Sequence, residues 1–252
     1  MKYLTAARLS FVEYRAANPW WVSLTTSWPR AVLQCLFWVL IGRIGGAGAA
    51  FAFPGVVAWV LTNSTIINLS DVPMLDRRSG TYFRTCMADV SAFGLYAARS
   101  APWVLDAGIT CVLCVSIVGP VLGLGGQAAG LLLCFPLFLL VILTSSAAGL
   151  AVASLGARFN SNVLLGNALC FLMLAAGGLV SASSRIPVLS AVGDVLPMTH
   201  GVAAIRDMGD GRPWSRAAAC EAAVGAGWAL LAALSYTVQA WRIRRTGDDF
   251  GF

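Results

Sequence analysis

Charged residues are absent from four long stretches of this chain: 44–70, 107–157, 159–184 and 222–241. A helix needs about 20 mostly apolar residues to cross the hydrocarbon core of a bilayer, whereas a helix in a soluble core shows an apolar stripe and not a uniformly apolar run. The longest run is divided by the Gly-rich segment 123–130. The pattern predicts an all-α polytopic membrane protein with six transmembrane helices, near residues 31–49, 51–70, 102–122, 130–153, 162–182 and 217–240.

Composition agrees with this class. Of the 252 residues, 58% are hydrophobic and 11% are charged, whereas soluble domains average about 45–50% apolar and about 25% charged residues. The pattern therefore indicates a single transmembrane domain over residues 1–252. The segments outside the spans that are long enough to hold structure are an N-terminal stretch (1–28), an inner loop (71–100) and an outer loop (183–215).

Basic residues fall mainly on one side of this topology. With the N-terminus inside, the inner side holds Lys2, Arg8, Arg15, Arg30, Arg77, Arg78, Arg84, Arg99, Arg158, Arg242, Arg244 and Arg245, and the outer side holds Arg43, Arg185, Arg206, Arg212 and Arg216. This bias follows the positive-inside rule, so both termini are predicted to be cytoplasmic. The net charge of +6 is then explained by contact with membrane lipid, and it indicates no nucleic-acid partner.

The segments outside the spans have patterns of their own. Residues 1–28 combine apolar positions at helical spacing with three tryptophans, which predicts an interfacial helix. The inner loop 71–100 resembles a helix interrupted near residues 79–80, with Ser79 or Thr81 capping the next piece. The outer loop contains two apolar pieces, 186–192 and 195–205. Both are too short to span, so they are expected to be re-entrant or interfacial helices.

Residues for metal or nucleotide chemistry do not occur at the required spacing. The chain has 7 cysteines, and the pair Cys111 and Cys114 lies inside a predicted span, where packing is the expected role. His200 has no carboxylate or cysteine neighbour at ligand spacing. The only lysine is Lys2, so no P-loop is present. We expect no metal or cofactor on this chain, and any ATPase that drives it must be another chain.

Two motifs resemble landmarks of the ABC-2 family of ATP-binding-cassette transporter membrane subunits. An acidic-basic-x-x-Gly-Thr motif after the second span appears here as DRRSGT (76–81), with Asp in place of the usual Glu. A Leu-Pro-x-Thr followed by an Ala-x-x-Arg segment before the last span appears as LPMTHGVAAIRDM (196–208). Six spans, cytoplasmic ends and an interfacial N-terminal helix are also typical of that family, so the similarity covers essentially the whole chain.

The resemblance implies a role for each motif. The segment around residues 76–84 would be a cytoplasmic coupling helix, seated in a cleft of an ATPase. The residues assigned to ATPase coupling are Asp76, Arg77, Arg78, Ser79, Gly80, Thr81, Tyr82 and Phe83. The residues of the outer-loop motif are Pro197, Thr199, His200 and Arg206.

Polar residues inside the spans mark a candidate translocation path, because a polar group in hydrocarbon is costly unless it is paired or used. The candidates are Asn63, Ser64, Asn68 and Glu221. Interhelical hydrogen bonding is the alternative use of the three residues in the second span. For Glu221 the leading expectation is an ion pair with Arg206, Arg212 or Arg216, and the alternative is attraction of cationic cargo at the outer exit.

As a member of this family the chain would be one of two membrane subunits, identical or paralogous, that work with two ATPase subunits holding ATP and Mg. Its length and small outer loops favour export of a hydrophobic or amphipathic small molecule (drug, antibiotic or lipid-like) across a bacterial cytoplasmic membrane, in the manner of daunorubicin-resistance exporters. Export of a lipid-linked polysaccharide or lipid is the alternative within the family. An ATPase-independent membrane enzyme or scaffold is the alternative from another class.

Overall fold

A computed structural model describes residues 2–88, 90–157, 161–178 and 187–246. Within these ranges the chain is helical and contains no strand. The helices are α1 (Lys2–Ala17), α2 (Trp20–Val22), α3 (Trp28–Ile44), α4 (Ala49–Arg78), α5 (Tyr82–Met87), α6 (Ala92–Arg99), α7 (Ala101–Val121), α8 (Gly125–Leu133), α9 (Phe135–Ala157), α10 (Asn162–Ala176), α11 (Pro187–Gly193), α12 (Thr199–Gly209) and α13 (Ser215–Thr246), and a π-helical turn (Ser23–Ser27) joins α2 to α3.

Several of these helices can cross a membrane. By length and apolar composition the described part of the chain has five candidates: Trp20–Ile44, Ala49–Arg78, Ala92–Val121, Phe135–Gly156 and Ser215–Arg245. The predicted span at 162–182 corresponds to α10, which is apolar but has 15 residues, and the end of that predicted span lies outside the described residues. The all-helical, multi-pass architecture is confirmed, whereas the count of six spans stays a prediction.

The first membrane-crossing helix begins earlier than the sequence predicted. The predicted interfacial segment ran to residue 28, but α1 ends at Ala17 and a continuous helical stretch starts at Trp20. Pro19 lies immediately before that stretch, and the residue preceding a proline is disfavoured in helical conformation. The helix therefore breaks at Asn18 and Pro19, and all three tryptophans belong to the spanning helix.

The second membrane-crossing helix continues well past its apolar run. It was predicted to end at residue 70, but α4 extends to Arg78 and has 30 residues, about 45 Å at 1.5 Å per residue. Hydrocarbon accounts for roughly 30 Å of that length. The first part of the predicted inner loop is therefore the end of a spanning helix.

Helix α4 is the centre of the fold and packs against α3, α7, α9 and α10. Helices α4 and α9 approach closely at Gly149, because this residue has no side chain: a Cβ atom added there would lie 3.1 Å from the Cα atom of Ile66. Small residues allow such close backbone contact between helices in membranes. A hydrogen bond of 2.9 Å between the hydroxyls of Thr62 and Ser145 joins the same two helices. The peripheral helices α3 and α13 leave most of their surface exposed.

Two short helices, α11 and α12, occupy the described part of the predicted outer loop. The second begins at Thr199, four positions later than residue 195, because the preceding residues form a turn. Met198 ends that turn with a φ of 85°, a conformation that non-glycine residues rarely adopt. Residues 183–186 of the predicted loop lie outside the described part of the chain.

Candidate functional site

The DRRSGT motif forms the C-terminal cap of α4. The N–H of Thr81 donates to the carbonyl of Asp76 at 2.8 Å, and the N–H of Gly80 donates to the carbonyl of Arg77 at 3.0 Å. Gly80 has a φ of +68°. These two bonds and one left-handed residue define a Schellman motif, in which glycine is favoured because a Cβ strains the left-handed conformation. The motif therefore ends α4 and turns the chain sharply into α5.

Of the two residues predicted to cap α5, Thr81 occupies the N-cap position. Its side chain makes no capping hydrogen bond there. The hydroxyl of Ser79 instead donates to the carbonyls of Leu75 and Asp76, at 2.9 and 3.1 Å. It therefore satisfies carbonyl groups that are left without partners at the end of α4.

Asp76 points into the protein. Its buried carboxylate accepts a hydrogen bond from the hydroxyl of Tyr96 at 2.9 Å and another from the guanidinium of Arg99. Arg99 also pairs with Glu13 of α1 at 3.0 Å. This network fastens the end of α4 to α6 and to α1, so Asp76 does not present its carboxylate to the surface.

The other predicted coupling residues divide between interior and surface. Tyr82 is fully buried, and the Arg77 guanidinium lies 4.8 Å from the centre of its ring, while Phe83 is partly buried. We call the exposed residues of segment 75–87 the inner tip; they are Leu75, Arg78, Ser79, Gly80, Thr81, Arg84 and Met87.

Helix α5 is bonded to the end of α13. The hydroxyl of Tyr82 donates to Oε1 of Gln239 at 2.6 Å, and the guanidinium of Arg244 donates to the carbonyls of Cys86 and Ala88 at 2.9 and 3.0 Å. Sequence reasoning missed Gln239 and Arg244. The basic cluster that includes Arg244 was the only signal, and it was interpreted as a topology determinant.

Stacked aromatic rings add to this connection. The ring of Tyr96 lies between those of Tyr82 and Tyr236, with centroid distances of 6.3 and 5.2 Å. Aromatic pairs at such distances contribute about 0.5–1.5 kcal/mol beyond the area they bury. The rings therefore connect α5 to both α6 and α13.

The three predicted path residues of α4 line one polar cavity. Asn63, Ser64 and Asn68 contribute to a cavity of about 180 Å³ between α1, α3, α4 and α7. Ser64 donates to the carbonyl of Leu61 in its own helix, and neither asparagine makes a side-chain hydrogen bond within the described part of the chain. The interhelical bond expected as their alternative use is made by the neighbouring Thr62.

Asp106 of α7 is a polar residue of this cavity that sequence reasoning missed. Its Oδ1 accepts a hydrogen bond from the indole N–H of Trp28 at 3.0 Å, and the Tyr14 hydroxyl lies near the same carboxylate. Burial and the neighbouring Asp106 carboxylate raise the pKa of Tyr14, so that hydroxyl stays a donor at neutral pH. The available signal was the position of Asp106 directly before the charge-free run 107–157.

Glu221 holds the outer motif in place. Its fully buried carboxylate accepts from the N–H groups of Met198 and Gly201 at 2.7 and 2.8 Å, and from the hydroxyl of Thr144 at 2.6 Å. A carboxylate at this position satisfies unpaired N–H groups at the start of α12 and interacts favourably with the helix dipole. Glu221 thus caps α12 from a different helix.

The predicted ion pair of Glu221 is wrong. Arg206 donates to the carbonyls of Gly178 and Phe51 at 3.2 and 3.0 Å, and burial lowers its pKa to about 10. Arg212 pairs with Asp207 and Asp210 instead. The backbone donors of α12 already satisfy the carboxylate, so no arginine is needed and Glu221 presents no charge to a pathway.

The remaining residues of the outer motif support the same turn. Pro197 is buried next to Met198, Thr199 begins α12, and a ring nitrogen of His200 lies 3.1 Å from the carbonyl oxygen of Asp194. Within the described residues no group of histidine, cysteine and carboxylate side chains could hold a metal ion. The motif therefore fixes the N-terminus of α12 against α13.

Glu221→Gln should destabilise the protein by about 1–3 kcal/mol, because the amide nitrogen would meet a backbone donor in a buried site. The measurement is the thermal unfolding midpoint in detergent. Asp194→Asn is the matched control, since that carboxylate is exposed on the same loop. Transport of neutral and cationic cargo should fall equally in Glu221→Gln, and a selective loss of cationic cargo would contradict the structural role.

Comparison with known proteins agrees with the motifs. A family model described as ABC-2 type transporter matches residues 9–208, a range that runs from α1 almost to the end of α12 and includes both motifs and the polar cavity. No individual curated protein matches the chain significantly. The chain belongs to the ABC-2 type transporter family and is a multi-pass membrane permease domain of an ABC transporter, a family that implies work with ATPase subunits.

Proposed function

We propose that the chain is the membrane subunit of an exporter that moves a hydrophobic or amphipathic small molecule out across a bacterial cytoplasmic membrane. A separate ATPase chain holds ATP and Mg in this proposal, and both termini of the permease are cytoplasmic. The observation that supports it best is the inner tip, an exposed turn at the end of the central helix α4. Because that turn is bonded to α13 and α6, it can transmit a partner's movement into the membrane.

The chemistry of the inner tip suits a protein partner. Leu75 and Met87 are 59% and 50% exposed, and Arg78 and Arg84 of the same short segment are also exposed. Protein interfaces combine apolar and charged side chains, and the two arginines favour an acidic cleft on the partner. The buried network around Asp76 keeps this surface in a fixed orientation.

The proposal includes a second membrane subunit, identical or paralogous. Helices α3 and α13 expose apolar side chains along most of their length. Lipid covers such surface in part, and a partner subunit covers the rest. Crosslinking of single cysteines on α3 and α13, in a variant without the native cysteines, identifies which helix meets the partner.

Reversal of both inner-tip arginines should weaken ATPase binding. Arg78→Glu combined with Arg84→Glu is expected to lower affinity for the co-purifying ATPase by about tenfold or more, because like charges at an interface rim are repulsive. Arg78→Ala alone should cost about 1 kcal/mol or less, as expected for one exposed charge. Affinity is measured with the reconstituted complex at low and high salt.

The matched control for this variant is the pair Arg8→Glu and Arg15→Glu on α1. Both arginines are exposed, and the change in net charge is the same. Equal weakening in the two double variants would show a general charge effect and contradict docking at the inner tip. Failure of the wild-type chain to bind any cassette ATPase would favour the ATPase-independent enzyme or scaffold.

A further inference from the structure

We propose that the polar cavity binds the head group of an amphiphile that carries a protonated amine, and that the apolar part of the molecule lies along the adjoining exposed face of α3. Asp106 is the counter-ion of the amine in this arrangement. The same chemistry has two sources, an aminophospholipid of the inner leaflet or an amphipathic amine carried as cargo. Only the second source rests on the proposed function.

The size of the cavity favours a head group. Its volume is about 180 Å³, whereas pockets that enclose whole drug-sized ligands measure about 300–1,000 Å³. The larger, apolar part of an occupant must therefore lie outside the cavity.

The amide side chains of the cavity are available to a ligand. Asn63, Asn68 and Gln34 line it, and none makes a side-chain hydrogen bond to another residue that the structure describes. All three are only partly buried. Polar groups at membrane depth are costly when they remain without a partner. A head group with donors and acceptors supplies those partners.

Asp106 determines the preferred charge. Trp28 orients its carboxylate, and no basic group lies within 4.0 Å of it in the described ranges. Arg30 also lines the cavity, but its side chain is exposed, whereas Asp106 is partly buried. A long cationic side chain of this kind extends toward water. The partly buried charge that requires compensation is therefore negative.

The outward face of α3 provides the apolar half of the site. It is an open surface formed by this helix and the π-helical turn before it, and Arg30 and Gln34 line both this face and the polar cavity. Leu33 and Phe37 also line it and are 64% and 56% exposed. An acyl or alkyl chain in the surrounding lipid can pack against this face while its head group enters the cavity past Gln34. Both halves of the site thus fit one amphiphile.

Titration of the purified full-length chain in lipid nanodiscs, without any ATPase, tests the site. Dodecylamine, which is protonated at pH 7, is expected to bind about tenfold more tightly than dodecanol, its neutral match. Asp106→Asn should remove this preference, and Asp194→Asn on the outer loop should retain it. Equal affinity of the wild-type chain for the two ligands, or a preference that persists in Asp106→Asn, overturns the proposal.

Asn68→Leu keeps the proposal testable if Asp106→Asn does not fold. This variant should reduce dodecylamine affinity and leave dodecanol affinity and the thermal unfolding midpoint unchanged; unchanged dodecylamine affinity overturns the site. Native mass spectrometry of bound phosphatidylethanolamine against phosphatidylglycerol identifies a lipid occupant, and stimulation of the complex's ATP hydrolysis by dodecylamine identifies cargo. Because the binding measurement uses no ATPase, failure of the proposed coupling does not affect it.

Discussion

Gly80→Pro should abolish cargo-stimulated ATP hydrolysis in the reconstituted complex while the chain still inserts and folds. Gly80 has a φ of +68°, whereas proline is restricted to about −65°. Its N–H donates to the carbonyl of Arg77 at 3.0 Å, and proline has no N–H. The substitution therefore breaks the Schellman motif and changes the direction in which the chain enters α5. The spans and the inner arginines remain, so membrane insertion is preserved.

Two substitutions at the same position separate backbone geometry from side-chain volume. No atom lies within 4 Å of a Cβ added at Gly80, so bulk alone is tolerated. Gly80→Asn should retain most of the stimulation because asparagine adopts the left-handed conformation, and Gly80→Ala should lose part of it through a strain of about 1–2 kcal/mol. Wild-type stimulation in Gly80→Pro, with equal amounts of complex, would end the assignment of this segment to coupling.

The sequence predicted the spans and the inner break because both depend on local chemistry. Apolar runs located the five candidate spans of the described residues, and the Ser79-Gly80 break marked an interruption in the inner segment. Hydropathy reports the thickness of hydrocarbon and not the end of a helix, so the extension of α4 to Arg78 was missed. The Schellman motif determines where α4 ends. In the sequence, the only sign of this motif is the glycine at position 80.

The partners of the buried charges could not be predicted in the same way. Glu221 was expected to pair with an arginine, but its donors are backbone N–H groups at the start of α12, which have no sequence signature. Asp106 appeared only as the boundary of a charge-free run. The partners of Glu221 and Asp106 depend on which helices are neighbours. The spacing of polar residues along the chain does not give that information.

Asp76→Ala should be the most destabilising of the substitutions considered for the inner side. Removing one partner of a buried ion pair costs about 3–5 kcal/mol, because the other charge remains buried without compensation. Arg99 would keep only Glu13, an exposed carboxylate, and the buried hydroxyl of Tyr96 would lose its acceptor. The free energy of unfolding is measured by denaturant titration in detergent. Glu13→Ala is the control, with an expected loss of about 1 kcal/mol or less.

A double variant distinguishes charge burial from general loss of packing at this site. Replacing both partners by apolar residues is often neutral, since no charge then remains buried. Asp76→Ala combined with Arg99→Met should therefore be more stable than Asp76→Ala alone, although it lacks one more hydrogen-bonding group. Residues in one ion-pair network are not additive, and this pair should show a coupling of about 1–3 kcal/mol. Additive losses would mean that Asp76 and Arg99 stabilise the end of α4 independently, and the network would then not fasten α1, α4 and α6 together.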